Sequence, residues 1–104
     1  MHLRDHPLMT RKSGFSSWPP AWINNYQDDN VSPLSGEIGT LERVLTNSQM
    51  KNQLFVVIRH QGFFYMGSLH FDDPSFCDAL SNILKANIGR SITEIGDLDM
   101  SSTL

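Results

Sequence analysis

The sequence predicts an α+β fold: a small three-stranded antiparallel sheet in the order β-β-β-α, one principal helix, a short C-terminal helical turn and an extended N-terminal arm. Three observations predict it. The run Leu54–Phe71 is rich in β-branched and aromatic residues and is broken by a single turn signal, Gln61-Gly62, which reads as a hairpin. Asp73-Pro74 follows, a helix start ahead of a helically spaced apolar stripe. Four of the five prolines and both tryptophans lie before residue 35, where no regular periodicity appears.

Residues 1–35 read as an extended, partly disordered arm. Its one distinctive segment is Trp18-Pro-Pro-Ala-Trp-Ile23, with a diproline that favours extended backbone between two indoles. Fully disordered tails are poor in aromatics, so this segment is expected to dock, on its own sheet, on a second copy or on a foreign partner. Residues 36–100 form the single α+β domain, and 101–104 a flexible tail. Within the domain, Gly36–Thr46 reads as a first strand. Ile38, Leu41, Val44 and Leu45 do not alternate cleanly, however, and Gly39 is a bulge candidate. Residues 47–52 are a polar connection into the hairpin.

The hairpin is apolar on both faces, where a sheet covered on one side alternates apolar and polar residues. If Gly62 closes a three-residue loop with a bulge, Phe55, Val57, Phe63, Tyr65, Leu69 and Phe71 share one face. Leu54, Val56, Ile58, Phe64 and Met66 then share the other. A two-residue turn changes the partners across the hairpin but leaves both faces apolar. One helix covers one face, so the second calls for the arm, another copy or a partner.

In the helix, Asp73 is the expected N-cap and Pro74 the first residue, with Phe76, Leu80, Ile83, Leu84 and Ile88 along one stripe and Gly89 as a C-cap candidate. Ser91-Ile-Thr-Glu94 fits the capping box of a second, short helix that turns Ile92, Ile95 and Leu98 inward; Gly96 weakens it toward a 3-10 turn.

Composition narrows the function. The 104 residues suffice for one modest core. A net charge of −3 gives no cationic footprint for nucleic acid, and the only basic pair, Arg11-Lys12, lies in the polar arm. Binding of single-stranded nucleic acid through sheet aromatics such as Phe63 and Tyr65 is disfavoured on that ground. The single cysteine, Cys77, precludes an internal disulfide and permits a reducing compartment. No stretch reaches the ~18 apolar residues of a membrane span, the start lacks the apolar core of a signal peptide, and the expected location is cytoplasmic. The sequon Asn30-Val31-Ser32 carries no weight without a secretory signal. The ending Ser102-Thr103-Leu104 matches a PDZ-type ligand only over three residues.

No catalytic, metal or nucleotide motif stands out, and no cofactor is expected. His70, Asp72, Asp73 and Cys77 gather at the strand–helix junction. There a helix dipole and a histidine would activate a thiol, giving a small cysteine-dependent enzyme or redox sensor. Against this, Phe76, Cys77 and Leu80 are helix neighbours suited to a core, and two aspartates oppose a thiolate. A zinc site needs about four suitable ligands and this junction offers three. Arg90 is placed to pair with Glu94, Asp97 or Asp99.

Trp18-Pro-Pro-Ala-Trp22, Gly36-Glu-Ile-Gly39, Tyr65-Met-Gly67, Phe71-Asp-Asp73, Phe76-Cys77 and Ile88-Gly-Arg-Ser-Ile92 through Asp99 resemble short bacterial proteins of uncharacterised function. The resemblance spans residues 18–99 and implies a bacterial cytoplasmic origin, but no activity, substrate or catalytic residue. The expected function is a small non-enzymatic protein-interaction module, homodimeric or binding another protein, with Trp18, Trp22, Phe55, Val57, Phe63 and Tyr65 as contact residues. An inhibitor-type bacterial or phage protein acting on a protein partner is a second alternative beside the cysteine enzyme.

Overall fold

The hairpin closes through two residues, Gln61 and Gly62, whose φ angles of 52° and 83° are both positive, as a type I′ turn requires. His60 therefore pairs with Phe63, and the ladder continues through Ile58–Tyr65, Val56–Gly67 and Leu54–Leu69. This register places Tyr65 and Leu69 on the face of Leu54, Val56 and Ile58. The three-residue-loop register had put them beside Phe55 and Val57. Phe55, Val57, Phe64 and Met66 share the opposite face, so both faces remain apolar in content.

The computed structural model describes residues 1–9, 17–24 and 34–100. Two 3-10 turns, Leu3–Asp5 and Pro7–Met9, come first, followed by strands β1 (Ile23–Asn24), β2 (Thr40–Asn47), β3 (Met50–His60) and β4 (Phe63–His70) and helices α1 (Pro74–Lys85) and α2 (Ile92–Gly96). The three long strands and main helix are the expected α+β architecture, and all strand pairs are antiparallel. The order across the sheet is β1-β4-β3-β2, so the arm adds a two-residue strand at the β4 edge. The Arg11-Lys12 pair, the Asn30 sequon and residues 101–104 lie outside the described residues.

β2 fails to alternate because of a bulge. Leu41 pairs with Ile58 and Arg43 with Val57, leaving Glu42 as the extra residue. Leu41 and Val44, three apart, thus both reach the core face. Gly39 is not that bulge. Its φ is +89°, and a Cβ there would stand 2.8 Å from the Arg59 carbonyl oxygen. The β2–β3 connection is shorter than residues 47–52: Asn47 pairs with Met50, and the Asn47 Oδ1 accepts from the Gln49 backbone N–H at 2.9 Å.

α1 lies on the inner face of β2 and β3 and buries Phe76, Cys77, Leu80, Ser81 and Leu84. Asp73 caps it as expected, accepting from the Ser75 N–H at 2.9 Å, with Pro74 in the first turn. The C-cap is Ala86 and not Gly89, while Ile88 is 48% exposed. Gly89 (φ +96°) instead returns the chain to the sheet, where its N–H donates to the Leu41 carbonyl at 2.9 Å. Ser91 accepts from the Glu94 N–H at 3.1 Å, and α2 is α-helical, not a 3-10 turn.

The arm's described parts are integral to the core, which corrects the expectation of an extended segment throughout 1–35. Leu3, Met9 and Trp22 are at most 1% exposed and Trp18 is 5% exposed. Trp22 lies over Gly67, where a Cβ would sit 2.7 Å from its ring and 2.6 Å from Pro20. The two indoles meet edge-on at 6.3 Å. Trp18 Nε1 donates to the Ile92 carbonyl at 3.3 Å and Trp22 Nε1 to the Gly36 carbonyl at 2.9 Å, so neither buried indole N–H lacks an acceptor. Arg4 ties the first turn to the rest of the chain through Glu37 (2.6 Å), Asp97 and the Thr93 carbonyl (3.1 Å). This guanidinium lies on Gly96, leaving no room for a Cβ.

Candidate functional site

The sheet's two faces have different fates. The inner one is closed by α1, by α2 and by the tryptophan segment. On the outer one, cross-strand neighbours form rows. Ile23, Met66, Val57 and Arg43 make the central row across all four strands. Phe64, Arg59 and Thr40 form the row toward the hairpin turn, and Ser68, Phe55 and Leu45 the row on the other side. Ile23 is 60% exposed, Phe64 38% and Leu45 36%; Phe55 and Met66 are half-buried, and Val57 at the centre is nearly enclosed. Six apolar side chains thus make a continuous band across a twisted sheet.

The band has a cationic side. Arg59 projects beside Phe64 and holds Glu42 at 3.3 Å across the bulge. Arg43 is exposed at the end of the central row and has no ion-pair partner among the described residues. The bulge at Glu42 directs Arg43 to this face, because it resets the alternation after Leu41.

The six expected contact residues are divided between the two sides. Phe55 and Val57 belong to the outer band. Phe63 is 52% exposed at the hairpin end, on the inner-face parity but beyond the layer that covers it. Trp18, Trp22 and Tyr65 are buried in the chain's own core, so they are corrected from surface contacts to cover and floor of the inner face. The physical reason is Gly67: it leaves a hollow in the inner face of β4 that the Trp22 ring fills. Ile23, Leu45, Phe64 and Met66 take their places in the band. The signal for Phe64 and Met66 was present in their alternation with Tyr65, and the two-residue turn decides which face they occupy.

The strand–helix junction offers weak chemistry. Strand alternation assigns His70 to the outer face, opposite Gln53, whereas Cys77 is turned into the core beneath α1. Burial pushes the Cys77 thiol pKa up, and the charge of Asp78 adds to the effect, so the thiol is protonated at neutral pH. Beside it, α1 and the end of the β2–β3 hairpin enclose an open groove of about 430 Å3, whose rim includes Lys51, Asp78 and Lys85. Asp73 caps α1, and no group of three or more potential metal ligands is found among the described residues. Arg90 pairs with Glu94 at 3.1 Å, at the i,i+4 spacing of a surface ion pair. Among the described residues no helix is long and apolar enough to cross a membrane.

No protein-family model, curated protein or solved structure matches this chain.

Proposed function

We propose that this chain is a small non-enzymatic protein-interaction module that docks a protein partner through the outer face of its sheet. The observation that carries the reading is the band Ile23–Phe64–Met66–Val57–Phe55–Leu45, exposed at three of its members while the inner face is already closed by the same chain. Exposed contiguous apolar surface is kept small on soluble monomers, and larger patches mark sites of association. Aromatic side chains, Met and Arg are the residue types enriched at such sites. The band supplies Phe55, Phe64 and Met66, with Arg43 and Arg59 alongside.

The test is the double substitution Ile23→Glu/Phe64→Glu. Both side chains point away from the core, so the variant is expected to keep its circular dichroism and to melt within a few degrees of the parent at sub-micromolar concentration. It is also expected to lose association through the face, read as assembly mass, or as apolar-dye binding where the parent is monomeric. A collapse of the melting temperature in dilute solution would make the band part of the chain's own structure and end the docking reading.

The cysteine-enzyme alternative predicts a different result. An activated Cys77 alkylates rapidly in the folded protein at neutral pH, whereas a core thiol labels only on unfolding.

A further inference from the structure

We infer that the occupant of the outer face is a second copy of this chain, packed face to face about a two-fold axis that runs along the strands between β3 and β4. The inference rests on the docking reading above and names its partner. An isologous contact must be complementary to itself: whatever lies at a given distance on one side of the axis meets what lies at that distance on the other side.

The register supplies this complementarity. Arg59 pairs with Phe64, Val57 with Met66 and Phe55 with Ser68 across the β3–β4 seam. A two-fold axis along that seam sets Phe64 against the partner's Arg59 and Met66 against the partner's Val57. It also sets Ile23, at one end of the central row, against the aliphatic stem of the partner's Arg43 at the other end. Phe64, Met66, Val57 and Ile23 each then meet an apolar side chain or an arginine, while Phe55 meets the partner's Ser68, and guanidinium on an aromatic face is a favourable pairing. Arg43, which has no ion-pair partner among the described residues, gains a neighbour that its stem can cover. The strand axes of the two sheets are then parallel to one another, which is the aligned mode of sheet packing.

The competing arrangements are worse matched. An axis across the strands through the central row sets β2 on β2 and brings Arg43 against the partner's Arg43, a like-charge contact. Edge-to-edge pairing at β2 is obstructed over its first residues, where Leu41 donates to the Arg90 carbonyl at 3.0 Å and accepts from the Gly89 N–H at 2.9 Å. At the other edge, β1 already occupies β4.

Light scattering on the full chain after size exclusion, over a concentration series reaching the high micromolar range, is expected to give twice the 11.8 kDa chain mass. Ile23→Glu/Phe64→Glu is expected to give the single-chain mass. Disulfide trapping in a Cys77→Ala background then reads the axis. A chain carrying Ile23→Cys and Arg43→Cys together is expected to form inter-chain disulfides on mild oxidation, and a chain carrying Ile23→Cys alone is not. Should Cys77→Ala fail to fold, the same trapping is done in the parent, whose own thiol is buried in the core. A parent that stays at the single-chain mass throughout, yet binds an apolar dye that the double-Glu variant does not, overturns the second copy and leaves the face open to a foreign protein. A dimer that survives the double-Glu substitutions overturns both this inference and the docking face. Efficient trapping by Ile23→Cys alone overturns the axis.

Discussion

His6 couples the N-terminal turns to the main helix through one ring. Its imidazole lies 4.9 Å from the Phe76 ring, and its Nδ1 accepts from the Leu8 backbone N–H at 3.2 Å, a role that requires an unprotonated nitrogen. Burial holds its pKa below the ordinary value of 6.5. The unfolded chain therefore takes up the proton at a pH where the folded one does not. His6 contributes its full stability above about pH 6.5, and that contribution declines as pH falls from there through the lowered folded value. The parent is accordingly expected to lose melting temperature as pH falls below about 6.5, and His6→Phe, which keeps the ring contact without the titration, to lose less; parallel curves would remove His6 as the cause. At Gly67 the constraint is steric. A methyl group would stand 2.6 Å from Pro20 and 2.7 Å from the Trp22 ring, so Gly67→Ala must displace the indole. Overpacking of this kind costs about 1–3 kcal/mol, which in a domain of this size lowers the melting temperature by about 4–8 °C per kcal/mol. Calorimetry that finds Gly67→Ala as stable as the parent would mean that the tryptophan segment shifts at no cost.

Among the elements, those with local chemistry were legible and those set by register were not. The start of α1 was readable because a cap is a contact between near neighbours: Asp73 Oδ1 reaches the Ser75 N–H at 2.9 Å and Pro74 forgoes a donor the first turn leaves unpaired. Asp73→Ala is expected to cost about 1 kcal/mol in chemical denaturation, and Asp73→Asn much less, because the amide oxygen still accepts. Equal losses for the two would assign the effect to charge and the helix dipole instead. The capping pair Ser91/Glu94 was legible for the same reason. By contrast, the faces of the hairpin depended on whether one or two residues followed Gln61 in the loop, and a one-residue change moves every side chain across the sheet. Gln61 at φ 52° is the detail that no propensity rule announces, since glutamine seldom adopts the left-handed region. The Glu42 bulge was visible only as failed alternation in β2. Its consequence, an exposed Arg43 on the outer face, required the pairing itself. The outer band was therefore half foreseen: a second apolar face was expected, with Phe55 and Val57 on it. Tyr65 was placed there in error and Phe64 and Met66 were not.

At the scale of the whole molecule, the described residues of the arm share one buried core with the domain, so the division at residue 35 follows composition and not packing. Leu3, Met9, Trp18 and Trp22 enter the same cluster as Leu54, Leu69, Leu80 and Ile95. The Leu3 N–H donates to the Leu98 carbonyl at 2.9 Å and the Met100 N–H to the Met1 carbonyl at 2.8 Å, so the first residues bind the segment after α2. Arg4 joins the same region through Glu37 and Asp97, and it holds the Asp97 carboxyl pKa below its usual range. Truncating a buried Trp costs about 3–5 kcal/mol and a buried Leu or Met about 2–5 kcal/mol. Losing two tryptophans, a leucine and a methionine together removes a quantity comparable to the entire 5–15 kcal/mol by which a domain is usually stable. Removal also opens the hollow over Gly67 and leaves the inner face of β4 bare. A chain beginning at Leu34 is therefore expected to show no cooperative thermal transition by calorimetry, with weakened near-ultraviolet dichroism and strong apolar-dye binding. The full chain is expected to unfold in one transition seen alike by tryptophan fluorescence, which reports the arm, and by far-ultraviolet dichroism, which reports the sheet and helices. If fluorescence changed well before dichroism, or if the Leu34 chain melted near the parent, the arm would be a detachable cover, and the inner face of β4 would then be the first surface to test for a partner.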